Sequence, residues 1–268
     1  MLNYTFIILN KSNNKLLFNC LDSIYEFIKC TDNFTIFIGD TGSSPDEINE
    51  ILDYIENTKR NIQLITFDKY NFAINNNIIV EGYCNKEREV LIFCNNDIQL
   101  KSDIIAEFEQ IFSKNDKVGT IGCQLLFGDK RIQHAGIEIG TRGRQFYITH
   151  RGLGQFNISE YNDTIEVIGN TAALLAIKKD VFREIGGFPE NYIECFEDVE
   201  LNIKCILAGY TNIYCGKAKA FHFESQTRNY NINKNANMSI DFRECLIPLM
   251  QNFLKNPDHL KKYLNIHE

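Results

Sequence analysis

Four strand-length apolar runs, each followed by a stretch of helical periodicity, fill the first 117 residues, and this alternation narrows the fold more than any other feature. The runs are Tyr4–Leu9, Phe34–Ile38, Ile62–Phe67 and Glu89–Cys94. The helical stretches cover roughly Lys15–Ile28, Pro45–Glu56, Phe72–Gly82 and Ile104–Phe112, and in the first Leu16, Leu17, Cys20, Leu21 and Ile24 share a face. Pro45 falls in a first helical turn, where proline is well tolerated. Strands and helices alternating at this spacing form βαβ units, hence an α/β fold with a mainly parallel sheet flanked by helices.

After Val118 the texture changes. Val118–Leu126, Ile132–Ile139 and Ile165–Ile177 read as strands, and Asp180–Ile185 and Phe196–Ala208 as helices. In the latter, Val199, Ile203, Ile206 and Leu207 form an apolar stripe that Gly209 ends. A Gly- and Arg-containing stretch lies over Gly140–Gly154, and a helical tail with charged faces over Met238–Tyr263. No repeat or long linker divides the chain. The expected unit is one domain over residues 1–230, with a nucleotide-binding half (1–117) and a substrate-binding half (118–230), followed by a helical extension (231–268).

Composition sets limits on function. A hydrophobic fraction of 44% supports a proper core, and a net charge of −7 without a basic stripe argues against nucleic-acid binding. Runs such as Thr5–Leu9 and Ala172–Ile177 fall far short of the ~20 apolar residues of a membrane span. The N-terminus enters a strand with no secretory signal pattern. Nine cysteines without a C-x-x-C pair read as reduced, structural small hydrophobes, which points to the cytoplasm.

Five places carry possible chemistry. Leu91–Cys94 runs into Asn95-Asn96-Asp97. In an open α/β sheet ligands sit beyond the carboxyl ends of strands, so Asp97 is well located to hold a divalent cation against a diphosphate. A strand entering a plain turn has the same pattern. Asp40 ends the second strand in the same way, either to accept hydrogen bonds from a base or ribose, or to open a turn and helix cap. Asn71 and Asn75 stand one helical turn apart, as amides lining a polar cleft or as an N-cap with surface asparagine. Glu197 and Asp198 open a helix whose dipole favours an ionised carboxylate, which suits either a general base or a simple charge bias. His222 follows an apolar stretch as a plausible manganese ligand or a surface residue.

These residues occur in the order of one family's motifs. The chain resembles the inverting family 2 glycosyltransferases of the GT-A fold as far as about Arg228, and most of all the bacterial branch that builds rhamnose-containing and other surface polysaccharides. The resemblance rests on Asp40-Thr41-Gly42-Ser43, on Asn71-Phe72-Ala73-Ile74-Asn75-Asn76, and on Cys94-Asn95-Asn96-Asp97 as the metal motif. It extends to His134-Ala135-Gly136, to Gly186-Gly187-Phe188-Pro189-Glu190 with Glu197-Asp198, and to His222, Glu224, Ser225, Thr227 and Arg228.

The resemblance implies that Asp40, Asn71, Asn76, Asn96 and Asp97 bind a nucleotide-sugar donor, with UDP or dTDP as its nucleotide. Asp97 and His222 would hold Mn2+ or Mg2+, Asp198 would take the acceptor's proton, and Glu197 would orient the acceptor. A glycan or lipid-linked glycan acceptor is implied, at the cytoplasmic face of the membrane, with the tail packing on the domain, forming a homodimer or meeting a membrane-bound partner. One carboxylate of the usual D-x-D is replaced here by Asn95, which predicts weaker metal affinity, and Thr41 stands where asparagine is frequent. The stretch from Gly140 to Tyr161 matches poorly. Within it Arg142, Arg144, His150 and Arg151 form a local basic run, either a solvated loop or a grip on the diphosphate or an anionic acceptor. Two other classes compete: a catalytically silent sugar-nucleotide-binding or scaffolding domain, and a nucleotidyltransferase, whose Gly-rich phosphate loop is missing from Leu9–Asn14.

Overall fold

The computed structural model describes residues 2–29, 34–142, 145–156, 159–223 and 232–265. The front half runs β1 (Asn3–Asn10), α1 (Asn14–Phe27), β2 (Phe34–Asp40), α2 (Pro45–Thr58), β3 (Ile62–Thr66), α3 (Phe72–Tyr83), β4 (Glu89–Cys94), β5 (Ile98–Leu100) and α4 (Ile104–Lys114). The back half runs β6 (Val118–Leu126), β7 (Ile132–His134), β8 (Ile137–Arg142), β9 (Gln145–His150), β10 (Thr164–Val167), β11 (Leu174–Lys178), α5 (Lys179–Glu184), α6 (Glu197–Leu207) and β12 (Thr211–His222). The tail holds α7 (Ile232–Ile240), a π-helical turn (Asp241–Leu246), α8 (Ile247–Phe253), α9 (Pro257–Tyr263) and β13 (Leu264–Asn265).

The main sheet has the order β10-β12-β6-β11-β4-β1-β2-β3. Strands β4, β1, β2 and β3 are parallel, so their carboxyl ends share one edge, while β11 runs antiparallel between β4 and β6. Alternation along the strands builds a core on each face. Phe6, Ile8, Ile36, Ile38 and Ile92 point to one side, against Leu17, Leu21 and Ile24 of α1 and Phe108 of α4. Ile7, Phe37, Leu91 and Phe93 point to the other, against Ala73, Ile79 and Val80 of α3 and Leu201 of α6. Each such side chain contributes about 1.5–3 kcal/mol when fully buried. Local signals agree with these packed elements. Ser44 caps α2 in a capping box with Glu47, Asn71 caps α3, and Pro45 stands in the first turn of α2.

The back half departs from its sequence pattern in three places. The run Ile132–Ile139 is two strands: β7 pairs with β6 in the main sheet, whereas β8 joins β9 and β13 in a small second sheet. Gly136, at φ +103°, makes the break, and a Cβ there would lie 2.7 Å from Val167 Cγ1. Gly136→Ala is therefore expected to cost about 1–3 kcal/mol, read as a lower denaturant midpoint at unchanged slope. The run Ile165–Ile177 is likewise two strands, β10 and β11, separated by a turn whose Asn170 is fully buried. Part of the Gly140–Gly154 stretch is strand β9, hairpin partner of β8.

The stripe on α6 also shifts. Val199, Leu201, Ile203 and Cys205 are buried, whereas Leu207 is 53% exposed. The tail packs on the domain through Leu246, Met250 and Phe253, which share a core with Ile139, Val199 and Ile203. Among the described residues, no helix is long and apolar enough to cross a membrane. Cys20, Cys84, Cys94, Cys123, Cys205 and Cys215 are buried as free thiols, and burial pushes the Cys84 thiol up to about 12. Cys30 lies outside the described residues.

Candidate active site

A cleft of about 630 Å³ opens at the carboxyl edge of the parallel strands. Its walls include Asn10, Lys11 and Ser12 after β1, Asn76 of α3, Asn95, Asn96 and Asp97 after β4, and Thr171 to Ala173 before β11. Glu194 to Val199, His150 and His222 complete them. Asp97, Asp198 and His222, distant in sequence, thus face one crevice.

Backbone pairing explains how Asp97 meets His222. The short strand β5 runs antiparallel to the end of β12 with Ile98 opposite His222, and Phe223 N–H donates to the Asp97 carbonyl at 3.0 Å. Both side chains are buried, with His222 Nε2 at 3.2 Å from Asp97 Oδ1. That contact lacks hydrogen-bond geometry, and Asp97 Oδ1 is a buried oxygen that accepts no hydrogen bond. On the far side of the ring, Gln133 Oε1 accepts from His222 Nδ1 at 2.9 Å, and Asn95 Nδ2 lies 3.3 Å from His222 Nε2. The buried Asp97 Oδ1, without a hydrogen bond and beside an imidazole nitrogen, is an oxygen that a cation could take up.

A divalent ion fits this donor pair. Among the described residues no group of three His, Cys, Asp or Glu is assembled for a metal. An ion held by Asp97 and His222 would therefore complete its shell with phosphate oxygens and water, the habit of magnesium and its relatives. Electrostatics lead to the same conclusion. The described lining carries Asp97, Glu194, Glu197 and Asp198 against Lys11 as its only lysine or arginine, so a diphosphate needs added positive charge to bind. Gln133 orients the imidazole, as outer-shell partners of metal-binding histidines do. Gln133→Leu is expected to weaken Mn2+ affinity about 10–100-fold with little loss of melting temperature, measured by calorimetry.

Asp198 lines the same cleft from the first turn of α6. Its Oδ2 accepts from Ala172 N–H at 3.1 Å and its Oδ1 from Val199 N–H at 2.8 Å. Beneath it lies a buried amide network absent from the sequence reading. Asn202 Nδ2 donates to the carbonyls of Asp198 and Asn170, and its Oδ1 accepts from Thr120 Oγ1 and Asn170 N–H. Asn212 closes the network on the Asn202 carbonyl and Thr120 N–H. The available signal was a polar residue within each apolar pattern, Asn202 between Leu201 and Ile203 and Asn212 in β12. Asn202 and Asn212 have every side-chain donor and acceptor paired, and so they fix α6 against β6 and β12.

The remaining sequence candidates are placed differently. Asp40 is buried outside the cleft lining, and the turn it opens takes up its oxygens: Gly42 N–H and Ser43 N–H donate to Oδ2, and Ser43 Oγ–H donates to Oδ1. Asn10 Nδ2 also approaches Asp40 Oδ1 at 3.5 Å, and Asn10 Oδ1 accepts from Asn96 Nδ2 at 2.8 Å, which ties three strand ends together. Asn71 is an N-cap accepting from Ile74 N–H, and Asn75 accepts from Asn71 N–H, so this pair caps a helix instead of lining the cleft. Asn76 does line it, with its amide held on the Phe72 carbonyl. Glu190 accepts from Asn77 Nδ2, which also holds the Phe188 carbonyl, so that motif anchors α3 to the loop after α5.

The basic stretch separates into individual residues. His150 lines the cleft and pairs its Nδ1 with that of buried His134, whose imidazole is pushed well below its ordinary range by burial and by the facing ring. Arg151 instead stacks on Tyr161 at 4.6 Å. Arg144 and the Arg142 side chain lie outside the described residues, as do Glu224, Ser225, Thr227 and Arg228.

A mixed α/β sheet with a cleft at its parallel edge, floored by a carboxylate at a strand end, is the GT-A arrangement of glycosyltransferases. Residues 5–186 match the family described as Glycosyl transferase family 2, and the chain belongs to that family. The O-antigen chain rhamnosyltransferase RfbN of Salmonella typhimurium is 25% identical over 226 residues, 83% of this chain and 67% of RfbN. The O-antigen biosynthesis protein RfbC of Myxococcus xanthus is 28% identical over 143 residues, 52% of this chain, which spans only 11% of RfbC. Among solved structures, GalNAc-T7 with UDP, GalNAc and Mn2+ superposes with a TM-score of 0.67 at 13% identity, covering 95% of this chain and 50% of that one. The mannosyltransferase PcManGT of Pyrobaculum calidifontis, in complex with GDP-Man and Mn2+, gives 0.65 at 15% identity, covering 97% and 70%.

Proposed function

We propose that this glycosyltransferase moves a sugar from a nucleoside-diphosphate donor to an acceptor hydroxyl with inversion at the anomeric carbon, and that it needs a divalent cation. The observation that carries the reading is the convergence of Asp97, His222 and Asp198 on one cleft. Asp97 and His222 would hold Mn2+ or Mg2+, which when bound neutralises charge developing on the leaving diphosphate. Asn96 and Asn76 would contact the donor there. Asp40 and Asn71 act on the nucleotide indirectly in this reading, by fixing the strand end and helix start that border its site. Asp198 takes the acceptor's proton as its oxygen attacks the anomeric carbon opposite the leaving group, and Glu197 orients that acceptor. General-base assistance of this kind supplies about 10²–10⁴-fold in rate.

The relatives support an acceptor class. RfbN and RfbC both carry O-antigen names, which supports a glycan or lipid-linked glycan of a bacterial surface polysaccharide, glycosylated at the cytoplasmic face of the membrane. A UDP- or dTDP-sugar is the proposed donor. Thermal-shift measurements with UDP, dTDP and GDP sugars, each with and without Mn2+, test the reading. A stabilisation by one nucleotide class that requires the cation is expected. No shift with any donor, at concentrations that saturate such enzymes, would remove the proposal. Binding without nucleotide release in the presence of acceptor would reduce the chain to a sugar-nucleotide-binding domain.

A further inference from the structure

The strap that delivers Glu197 and Asp198 to the cleft is held from outside the part of the chain that matches the family, which ends at residue 186. Asp241, in the π-helical turn of the tail, is fully buried. Its Oδ1 accepts from Ile193 N–H at 2.9 Å, and its Oδ2 accepts from Glu194 N–H at 2.7 Å and Cys195 N–H at 3.1 Å. Three successive backbone donors around one carboxylate form an anion nest, here filled by the protein's own side chain. Charge-assisted bonds of this kind are roughly twice as strong as neutral ones.

The strap needs that hold. Phe196, the next residue, sits at φ +77° with no side-chain cap on α6, a conformation that persists only where its surroundings over-determine it. Phe242, beside Asp241, packs its ring 6.0 Å from that of Phe196. Glu194 to Asp198 all line the cleft, and Met238 of α7 joins them. π-Helical turns often mark functional sites, because the wider turn re-aims the side chains it carries.

We propose that Asp241 is a positioning residue for glycosyl transfer, the buried carboxylate that locks residues 193–196 in the shape from which Asp198 reaches the acceptor. The proposal rests on Asp198 being the base. It makes the tail part of the acceptor side of the site while leaving the donor side, built from β1, β4 and β12, independent of it.

The test is Asp241→Asn, which keeps the volume but turns an NH2 group against backbone N–H donors. Displacement of a reacting group by about 1 Å can cost 10²-fold, so kcat is expected to fall about 10²-fold while donor KM and donor Kd by calorimetry stay within about twofold. Asp241→Ala should lose kcat similarly and regain it with added formate, which restores a carboxylate to the vacated nest. Unchanged kcat in Asp241→Asn, a parallel loss of donor affinity, or an Asp241→Ala loss that formate leaves untouched would each overturn the proposal. Asp198→Asn, assayed alongside, separates the two levels. Normal turnover in that variant defeats the base assignment itself, whereas an inactive Asp198→Asn beside a fully active Asp241→Asn defeats the positioning role alone.

Discussion

Asp198→Asn is expected to lower the transfer rate by about 10²–10⁴-fold, the worth of a general base, while nucleotide-sugar binding survives. The substitution preserves shape, and the amide oxygen can still accept one of the two backbone hydrogen bonds, from Ala172 or Val199, that the carboxylate now receives. What it removes is the capacity to accept a proton. Because the amide network beneath α6 grips the Asp198 carbonyl and leaves the side chain to the cleft, the helix should stay in place. Single-turnover transfer measured beside donor calorimetry separates the two effects. Near-normal turnover would assign the base elsewhere, with Glu197 the next candidate.

Asp97→Ala should act on the other side of the reaction. Donor affinity in the presence of Mn2+ is expected to fall by about 10²-fold or more, since losing even an outer-shell partner of a metal costs 10–100-fold. The rate should fall as well, because charge on the leaving diphosphate is then unopposed. The described cleft offers only Lys11 in compensation, among three remaining carboxylates. A chelator should reproduce the defect in the unaltered protein and add nothing to the variant. Full activity in chelator would show that the Asp97 and His222 pair holds no metal.

The two variants probe sites with different sequence legibility. Asp97 was readable because β4 is apolar from Val90 to Cys94 and then gives way abruptly to polar residues, and a parallel strand end in an α/β sheet has one place to point. Asp40 was readable as a strand end, yet its oxygens turned out to be engaged by the turn that follows, a hydrogen-bond assignment that residue order does not determine. His222 and Asp97 meet through a three-residue strand, β5, too short to leave a periodic signal. The Asn170, Asn202, Asn212 and Thr120 network was invisible for a related reason, since each residue looks like an isolated polar interruption until three elements pack.

Local sequence thus determined the front half of the molecule: the four parallel strands, their covering helices, the caps at Ser44 and Asn71, and the strand end that presents Asp97. The period and the caps of those elements act within a few residues, although the pairing that sets the strands side by side joins segments far apart in the chain. Tertiary structure alone decided the rest: the splitting of two long apolar runs into strands of different pairing, the meeting of Asp97 with His222, and the hold of Asp241 on the strap before Asp198. The last two depend on contacts between residues 47 to 127 apart in the chain, and a polar side chain's partner at that distance is set by how the sheet and tail pack.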